Sequence, residues 1–282
     1  MSKQYDYIIV GAGSAGCVVA ERLSRDPSKT VLLLEAGGKN NNMLLSVPLA
    51  AAAILTNKKF SWCYNTEPEK NLNNRSISWP RGKTLGGSSS INGMIYIRGQ
   101  REDYDNWAAL GNRGWSYDEL LPYFIRNENN NDLSGPYHGN SGAQWVSNIA
   151  HEFEMSDTFI EAATDSGIPL NNDFNGASQE GVGYFQAMIK NGRRQSSATD
   201  YLSLCKKRKN FILITKALTG KIIVDNGEAI GFQYQHRKQQ IIAYCNHEVV
   251  LCGGAINSPQ LLELSGIGDS TRLKNLGIDL NH

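Results

Sequence analysis

Apolar and polar positions divide the chain into a patterned start, a weakly patterned middle and a patterned end. Tyr5 to Val10 is a short run rich in aromatic and β-branched side chains, which predicts a buried strand. Gly11 to Gly16 follow at once. Ala15 to Leu23 carries Val18, Val19 and Leu23 in a helical pattern, and Thr30 to Leu34 predicts a second buried strand running into Glu35-Ala36-Gly37-Gly38. Strand, glycine turn, helix and strand make a βαβ unit.

The middle is punctuated by Pro48, Pro68 and Pro80 and by asparagine runs at 40–42 and 129–131, which read as surface loops. Leu44 to Leu55 is apolar but interrupted by Ser46 and Pro48, too short for a membrane span. It reads as a packed helix, with membrane contact at most peripheral. Met155 to Ser166 predicts a helix capped by Ser156 or Asp157, with Phe159, Ile160 and Ala163 on one face, ended by Gly167-Ile168-Pro169. The segments Phe211 to Ile214, Lys221 to Val224, Ala229 to Tyr234 and Gln240 to Tyr244 predict a β-meander, with Asp225-Asn226-Gly227 as a hairpin turn. A last buried strand, Glu248 to Cys252, runs into Gly253-Gly254-Ala255 and a helix for which Ser258 supplies an N-cap and Pro259 the first position. No internal repeat is visible.

Composition narrows the class without choosing a function. The 282 residues carry a net charge of +1 and 40% hydrophobic residues, which excludes a nucleic-acid binder and a disordered chain. The five cysteines are scattered, with no Cys-x-x-Cys pair, so reduced thiols are expected and neither a disulfide framework nor a metal cluster. Met1 to Tyr7 enters a strand directly, without the pattern of an export signal, and a cytoplasmic location, at most peripheral to the inner membrane, is expected.

Gly11-Ala12-Gly13-Ser14-Ala15-Gly16 fits G-x-G-x-x-G between a predicted strand and a predicted helix. Gly11 permits the tight turn, Gly13 a close approach to a pyrophosphate, and Gly16 the packing of helix on strand. The helix N-terminus offers free N–H groups to phosphates. Glu35, 19 residues beyond Gly16, stands where a carboxylate accepts from ribose hydroxyls and repels a 2′-phosphate, which disfavours NADP. The fingerprint leaves FAD and NAD open. A second glycine stretch runs from Arg81-Gly82-Lys83-Thr84-Leu85-Gly86-Gly87-Ser88 to Asn92-Gly93-Met94, and a third element is Gly253-Gly254.

Three segments together resemble the glucose-methanol-choline (GMC) oxidoreductases, in their choline and aliphatic-alcohol dehydrogenase branch. They are Arg81 to Met94, Gly254-Ala255-Ile256-Asn257-Ser258-Pro259-Gln260 through Ser265-Gly266-Ile267-Gly268, and the fingerprint ending Leu33-Leu34-Glu35-Ala36-Gly37. Asp173 to Gly176, Gln179 to Gly183 and Gly192 to Ala198 resemble the family's middle region. The resemblance implies an α/β fold: a Rossmann-like FAD-binding domain with a β-meander, plus part of an α+β substrate-binding domain. Residues 1–150 and 196–282 would form the discontinuous FAD-binding domain, and 151–195 the first part of the substrate domain, its remainder absent.

The implied cofactor is FAD. Gly11, Gly13, Ser14, Ala15 and Gly16 would face its pyrophosphate, and Glu35 and Ala36 its ribose. Thr84, Gly87, Ser88, Asn92, Gly93, Met94 and Ile95 would line the flavin, and Leu218 would meet the adenine. Covalently flavinylated members carry a histidine where Ile91 stands, so non-covalent FAD is expected. The implied chemistry is hydride transfer from an alcohol carbon to flavin N5, with a quinone or other respiratory acceptor taking the electrons.

The family's base is a histidine well beyond the second glycine motif, past the position at which this chain stops. None of His138, His151, His236, His247 and His282 lies in such a motif, so no catalytic residue and no metal ligand is assigned. The chain is expected to correspond to the N-terminal part of such an enzyme. The alternatives are an inactive FAD-binding fragment or split subunit, and an NAD-dependent dehydrogenase. Trp62, Tyr64 and Trp79 are candidates for an aromatic cage around a quaternary ammonium, with ordinary packing as the competing use.

Overall fold

A computed structural model describes residues 3–282; Met1 and Ser2, part of the stretch read for an export signal, lie outside the described residues. The chain forms two compact units, Met1–Asn92 with Ser196–His282, and Gly93–Gln195. The excursion from the first unit thus starts at residue 93, whereas the sequence reading begins a separate domain at 151.

The first unit is built on a six-stranded sheet. Its strands are β1 (Lys3–Val10), β2 (Val31–Glu35), β3 (Phe211–Thr215), β4 (Leu218–Asp225), β5 (Glu228–His236) and β6 (Gln239–Leu251), in the spatial order β4-β5-β6-β1-β2-β3. β1 pairs in parallel with both β2 and β6, and β3 lies parallel to β2. Helix α1 (Ser14–Leu23) joins β1 to β2, completing the expected βαβ unit. All five residues of β2 are buried, as a strand inside a parallel sheet requires. Tyr5, Ile8, Val10, Leu32, Leu34 and Phe232 share one core cluster.

Two strand expectations change. Phe211–Thr215 is no part of the meander but the edge strand beside β2. Gln240 to Tyr244 and Glu248 to Leu251 belong to one strand of 13 residues, which stops one residue short of Cys252. The polar Asn246-His247 that suggested an interruption is a bulge: Tyr5 pairs with Cys245 and Tyr7 with Glu248, so β6 carries one extra residue against β1. One strand therefore closes the meander through β5 and enters the parallel sheet through β1.

The helix after β6, α2, spans Gly254–Leu264 and starts five residues earlier than an N-cap at Ser258 and first position at Pro259 suggested. Gly254 has φ +87°, a conformation that lets the chain turn straight off the strand into the helix. Gly253 is the cap residue and Pro259 lies inside the helix. Leu44 to Leu55 breaks into Met43–Ser46, Pro48–Ala50 and Ala51–Leu55. Leu45 and Ile54 are buried with Phe60 and Ile91, while Met43 and Leu49 are exposed. Among the described residues no helix is long and apolar enough to cross a membrane. All five cysteines are free.

The second unit has the helices Arg101–Ala109, Tyr117–Asn127 and Glu154–Asp165. Its buried hub is Glu128, which accepts from Arg98 Nη2 at 2.9 Å and from the Gly139 N–H at 2.9 Å, and holds His138 Nδ1 at 3.1 Å. The third helix begins at Glu154 after Phe153, which offers no side-chain cap, so Ser156 and Asp157 lie within its first turn. Of its expected apolar face, Ile160 and Ala163 are half-buried and Phe159 is exposed.

Helix α1 is tied down by Glu21, which is almost fully buried. Its carboxylate accepts from Arg25 Nε at 3.0 Å and Arg208 Nη2 at 2.8 Å, and also pairs with Arg22. Burial pushes its pKa up, but the three guanidinium groups outweigh burial and lower it. Glu21→Gln is expected to cost about 2 kcal/mol in urea unfolding at neutral pH, because part-exposed arginines lose less than a fully buried pair. Stabilisation by a carboxylate of lowered pKa is complete above its unfolded value and disappears on protonation, so the two proteins should converge in stability as the pH falls below 4.5.

Candidate functional site

Val10, Leu34 and Leu251 lie side by side in register at the ends of three parallel strands. Beyond them opens a cleft of about 550 Å³. Gly11, Gly13, Ser14 and Ala15 line it from the first turn, Glu35 and Ala36 from the end of β2, and Gly87 and Ser88 from the second glycine stretch. Gly253 to Pro259, leading into and along α2, complete that side.

The glycines allow backbone to approach backbone. Gly11 has φ +103°, and a Cβ there would sit 2.4 Å from the Cys252 carbonyl oxygen, so no other residue fits between β1 and the end of β6. A Cβ on Gly16 would lie 1.9 Å from the Gly11 oxygen. One on Gly87 would lie 2.7 Å from Gly13 Cα, so the second glycine stretch touches the first turn. Gly13 differs: an added Cβ would meet no atom nearer than 3.9 Å.

Two helices start at this cleft, and each leaves its first N–H groups without a side-chain cap. The cap residues are Gly13 for α1 and Gly253 for α2, and neither helix has an acidic residue in its first turn. Two uncapped N-termini give one cleft two sets of free donors and two positive dipole ends. That arrangement suits a ligand with two adjacent phosphates.

Glu35 lies against the first turn. Its Oε2 accepts from the Ala12 N–H at 3.0 Å and its Oε1 from the Gly37 N–H at 2.7 Å. Only 6% of the residue is exposed, and burial raises its pKa to about 7 against the opposing pull of the two backbone bonds and Lys83. A carboxylate held by backbone alone keeps further acceptor positions for ligand hydroxyls.

The other expected contacts are not among these lining residues. Gly16 packs behind the turn, and buried Thr84 donates from Oγ1 to the Gly38 carbonyl at 3.1 Å. Leu218 opens β4 with its side chain exposed, and Asn92 ends the first segment of the first unit. Gly93, Met94 and Ile95 belong to the second unit. Ile91 is buried with Leu45, Ile54 and Phe60 and offers no nucleophile.

Among the lining residues that were given no role from sequence are the polar side chains of Arg81 and Asn257. Asn257 Oδ1 accepts from the Tyr64 hydroxyl at 3.1 Å. Both sit inside the motifs that carried the family resemblance, which was the available signal. Of the aromatic candidates, Trp62 lines the cleft, stacked on Tyr64 at 5.8 Å with Lys83 Nζ 4.2 Å from its ring centre. Trp79 is exposed beneath the Arg81 guanidinium. Among the described residues no histidine lines the cleft: His247 contacts Lys29 and Tyr7, and His138 is buried in the second unit between Glu128 and Asp173. Among the described residues no cluster could hold a metal ion.

Comparison with known proteins agrees with this geometry. A family model described as GMC oxidoreductase matches residues 5–281. Alcohol dehydrogenase [acceptor] of Pseudomonas putida is 46% identical over 99% of this chain and 51% of its own length. Human mitochondrial choline dehydrogenase is 42% identical over 98% of this chain and 48% of its own length. This chain thus spans about half the length of the curated relatives it matches. Among solved structures, pyridoxine 4-oxidase from Mesorbium loti superposes with a TM-score of 0.94 at 32% identity, covering 98% of this chain and 55% of that one. An FAD-dependent oxidoreductase from Chaetomium thermophilum gives 0.92 at 32% identity, covering 98% and 50%. With a family model over nearly its whole length and relatives above 40% identity, the chain belongs to the GMC oxidoreductase family.

Proposed function

We propose that this chain holds FAD non-covalently in the cleft and serves the oxidation of a small alcohol at its CH–OH carbon. The observation that carries the reading is the pair of uncapped helix N-termini at one cleft, with Glu35 in the same lining. The pyrophosphate would take the free N–H groups of α1 and α2, with Arg81 as a nearby cation. The Glu35 carboxylate would accept from the adenosine ribose, which also disfavours a 2′-phosphorylated nucleotide. Gly87 and Ser88 would border the cofactor on the opposite wall. Leu218 would offer its backbone towards the adenine.

Bound FAD supplies a hydride acceptor at flavin N5. What these residues contribute is binding and orientation. Buried Ile91 presents no atom that could form a covalent flavin link, which favours a dissociable cofactor. The names of the relatives favour an alcohol or choline as hydride donor; over the electron acceptor they divide, one being named for an acceptor and others as oxygen-dependent. Because no histidine lines the cleft, a second reading is a flavin-holding subunit whose base comes from another segment.

The purified protein is expected to be yellow, to release its flavin on acid precipitation, and to lose its 450 nm-region absorbance anaerobically with an alcohol. A flavin that no alcohol bleaches selects the second reading, and a colourless protein that binds NAD instead overturns the first. Gly13→Ala and Gly16→Ala separate binding from folding. Gly13→Ala should fold normally yet bind FAD more weakly by about tenfold or more, since a methyl group there enters the cleft at the phosphate donors. Gly16→Ala should fail to fold, because its methyl group would overlap the Gly11 carbonyl.

Glu35 sets a pH dependence. Its folded pKa, about 7, lies above its ordinary value of 4.5, so its contribution to the stability of the cofactor-free protein is full below 4.5 and lost as pH rises through 7. Ribose hydroxyls donate to the carboxylate, so FAD binding should tighten over that rise. Fluorescence quenching titrations at pH 6, 7 and 8 should show this in the wild type and a flat profile in Glu35→Gln.

A further inference from the structure

A second cavity of the first unit, of about 570 Å³, has a lining that the dinucleotide cleft does not share. Lys39, Lys59, Lys216 and Arg237 line it together with His236 and Thr215, and no acidic residue is among the lining. The whole protein carries a net charge of +1, so four cations around one cavity are a local concentration rather than a general excess. They come from separate stretches of chain, the loops after β2 and β3, the segment before Phe60 and the β5–β6 turn. All four are exposed, and an anion in the space would relieve their mutual repulsion.

A further observation points to a ligand, the choice of residues at the β5–β6 turn. Both hairpin turns of the meander have two central residues with positive φ. One is Asn226-Gly227, at 49° and 82°, the pair such a turn favours. The other is Arg237-Lys238, at 50° and 66°, two long side chains that this backbone conformation disfavours. The turn itself gains nothing from these residues, whereas the cavity gains the Arg237 charge.

We propose that this cavity binds a phosphoryl group. A phosphate dianion matches several convergent cations better than a carboxylate does, and Arg237 can present its planar fork to two phosphate oxygens. The Thr215 hydroxyl in the lining is an uncharged donor. The bearer of the phosphoryl group is a free phosphorylated metabolite or the headgroup of an anionic lipid, and this inference does not depend on the reaction proposed for the cleft.

The test uses the full chain with FAD present in excess, so that the helix N-termini of the cleft are taken, and inorganic pyrophosphate as the probe in calorimetric titration at low salt. The wild type should bind saturably, and Arg237→Asn with Lys238→Gly should weaken binding about tenfold or more. That double substitution installs the favoured turn residues, so it should melt no lower than the wild type, and a loss of binding cannot be put down to unfolding. Lys206→Gln with Lys207→Gln removes the same charge from an exposed site outside the cavity and should leave binding within about twofold. Unchanged binding in the turn variant, or an equal loss in the Lys206 and Lys207 variant, overturns the proposal. Sedimentation with phosphatidylglycerol-containing vesicles identifies the bearer. Vesicle binding displaced by pyrophosphate assigns a lipid headgroup, and pyrophosphate binding without vesicle binding assigns a free metabolite.

Discussion

Everything at the cleft depends on β1 being paired in parallel on both sides. Val10 aligns with Leu34 on one flank and Leu251 on the other, so three strands end on one line. The ladder continues one step past the strands: the Gly11 N–H donates to the Leu34 carbonyl at 2.8 Å and the Cys252 N–H to the Val10 carbonyl at 2.8 Å. Chain leaving these strands must turn within a few residues. It does so through Gly11 to Gly13 after β1 and through Gly253-Gly254 after β6, and each turn delivers a helix N-terminus to the same crevice. The crevice at the carboxyl ends of the strands is therefore a result of strand pairing, and the glycines are what the pairing demands.

Burial then sorts the acidic residues of this layer into two kinds. Glu21 and Glu35 are both almost inaccessible. Glu21 meets three arginine side chains, which lower its pKa and make it part of the fold. Glu35 meets backbone N–H groups, with Lys83 acting only through its charge, and burial raises its pKa. A buried carboxylate without a partner side chain is costly in the protein alone. Hydrogen-bond donors brought by a ligand relieve that cost. The same contrast distinguishes Gly16 from Gly13, since one is required by neighbouring backbone and the other faces open space in the cleft.

The long strand β6 links the two halves of the sheet. Its bulge at Asn246-His247 absorbs one residue between the segment paired with β5 and the segment leading to the glycine turn. The β5–β6 turn places Arg237 at the second cavity, and the far end of β6 leads to α2 at the cleft. One strand thus carries residues of both sites on a single rigid element.

Local sequence was enough for the first βαβ unit, the Asn226-Gly227 turn and the glycine turn after β1. Each is written within a few residues by side-chain periodicity or by a glycine where only glycine fits. Strand partnership was not legible in that way. Phe211–Thr215 reads like one more meander strand, yet it pairs with β2, far away in sequence. Asn246-His247 reads as a break and is a bulge, because the register of β1 is set by the whole sheet. Ser258-Pro259 carries the signature of a helix start, but the glycine turn off β6 had already begun the helix at Gly254. The sequence by itself determined which short segments could be strand, turn or phosphate-facing glycine, since those preferences are local. Only the tertiary structure decided which strands meet, where α2 begins and which cations share a cavity, because those depend on burial and hydrogen bonding between residues far apart in the chain.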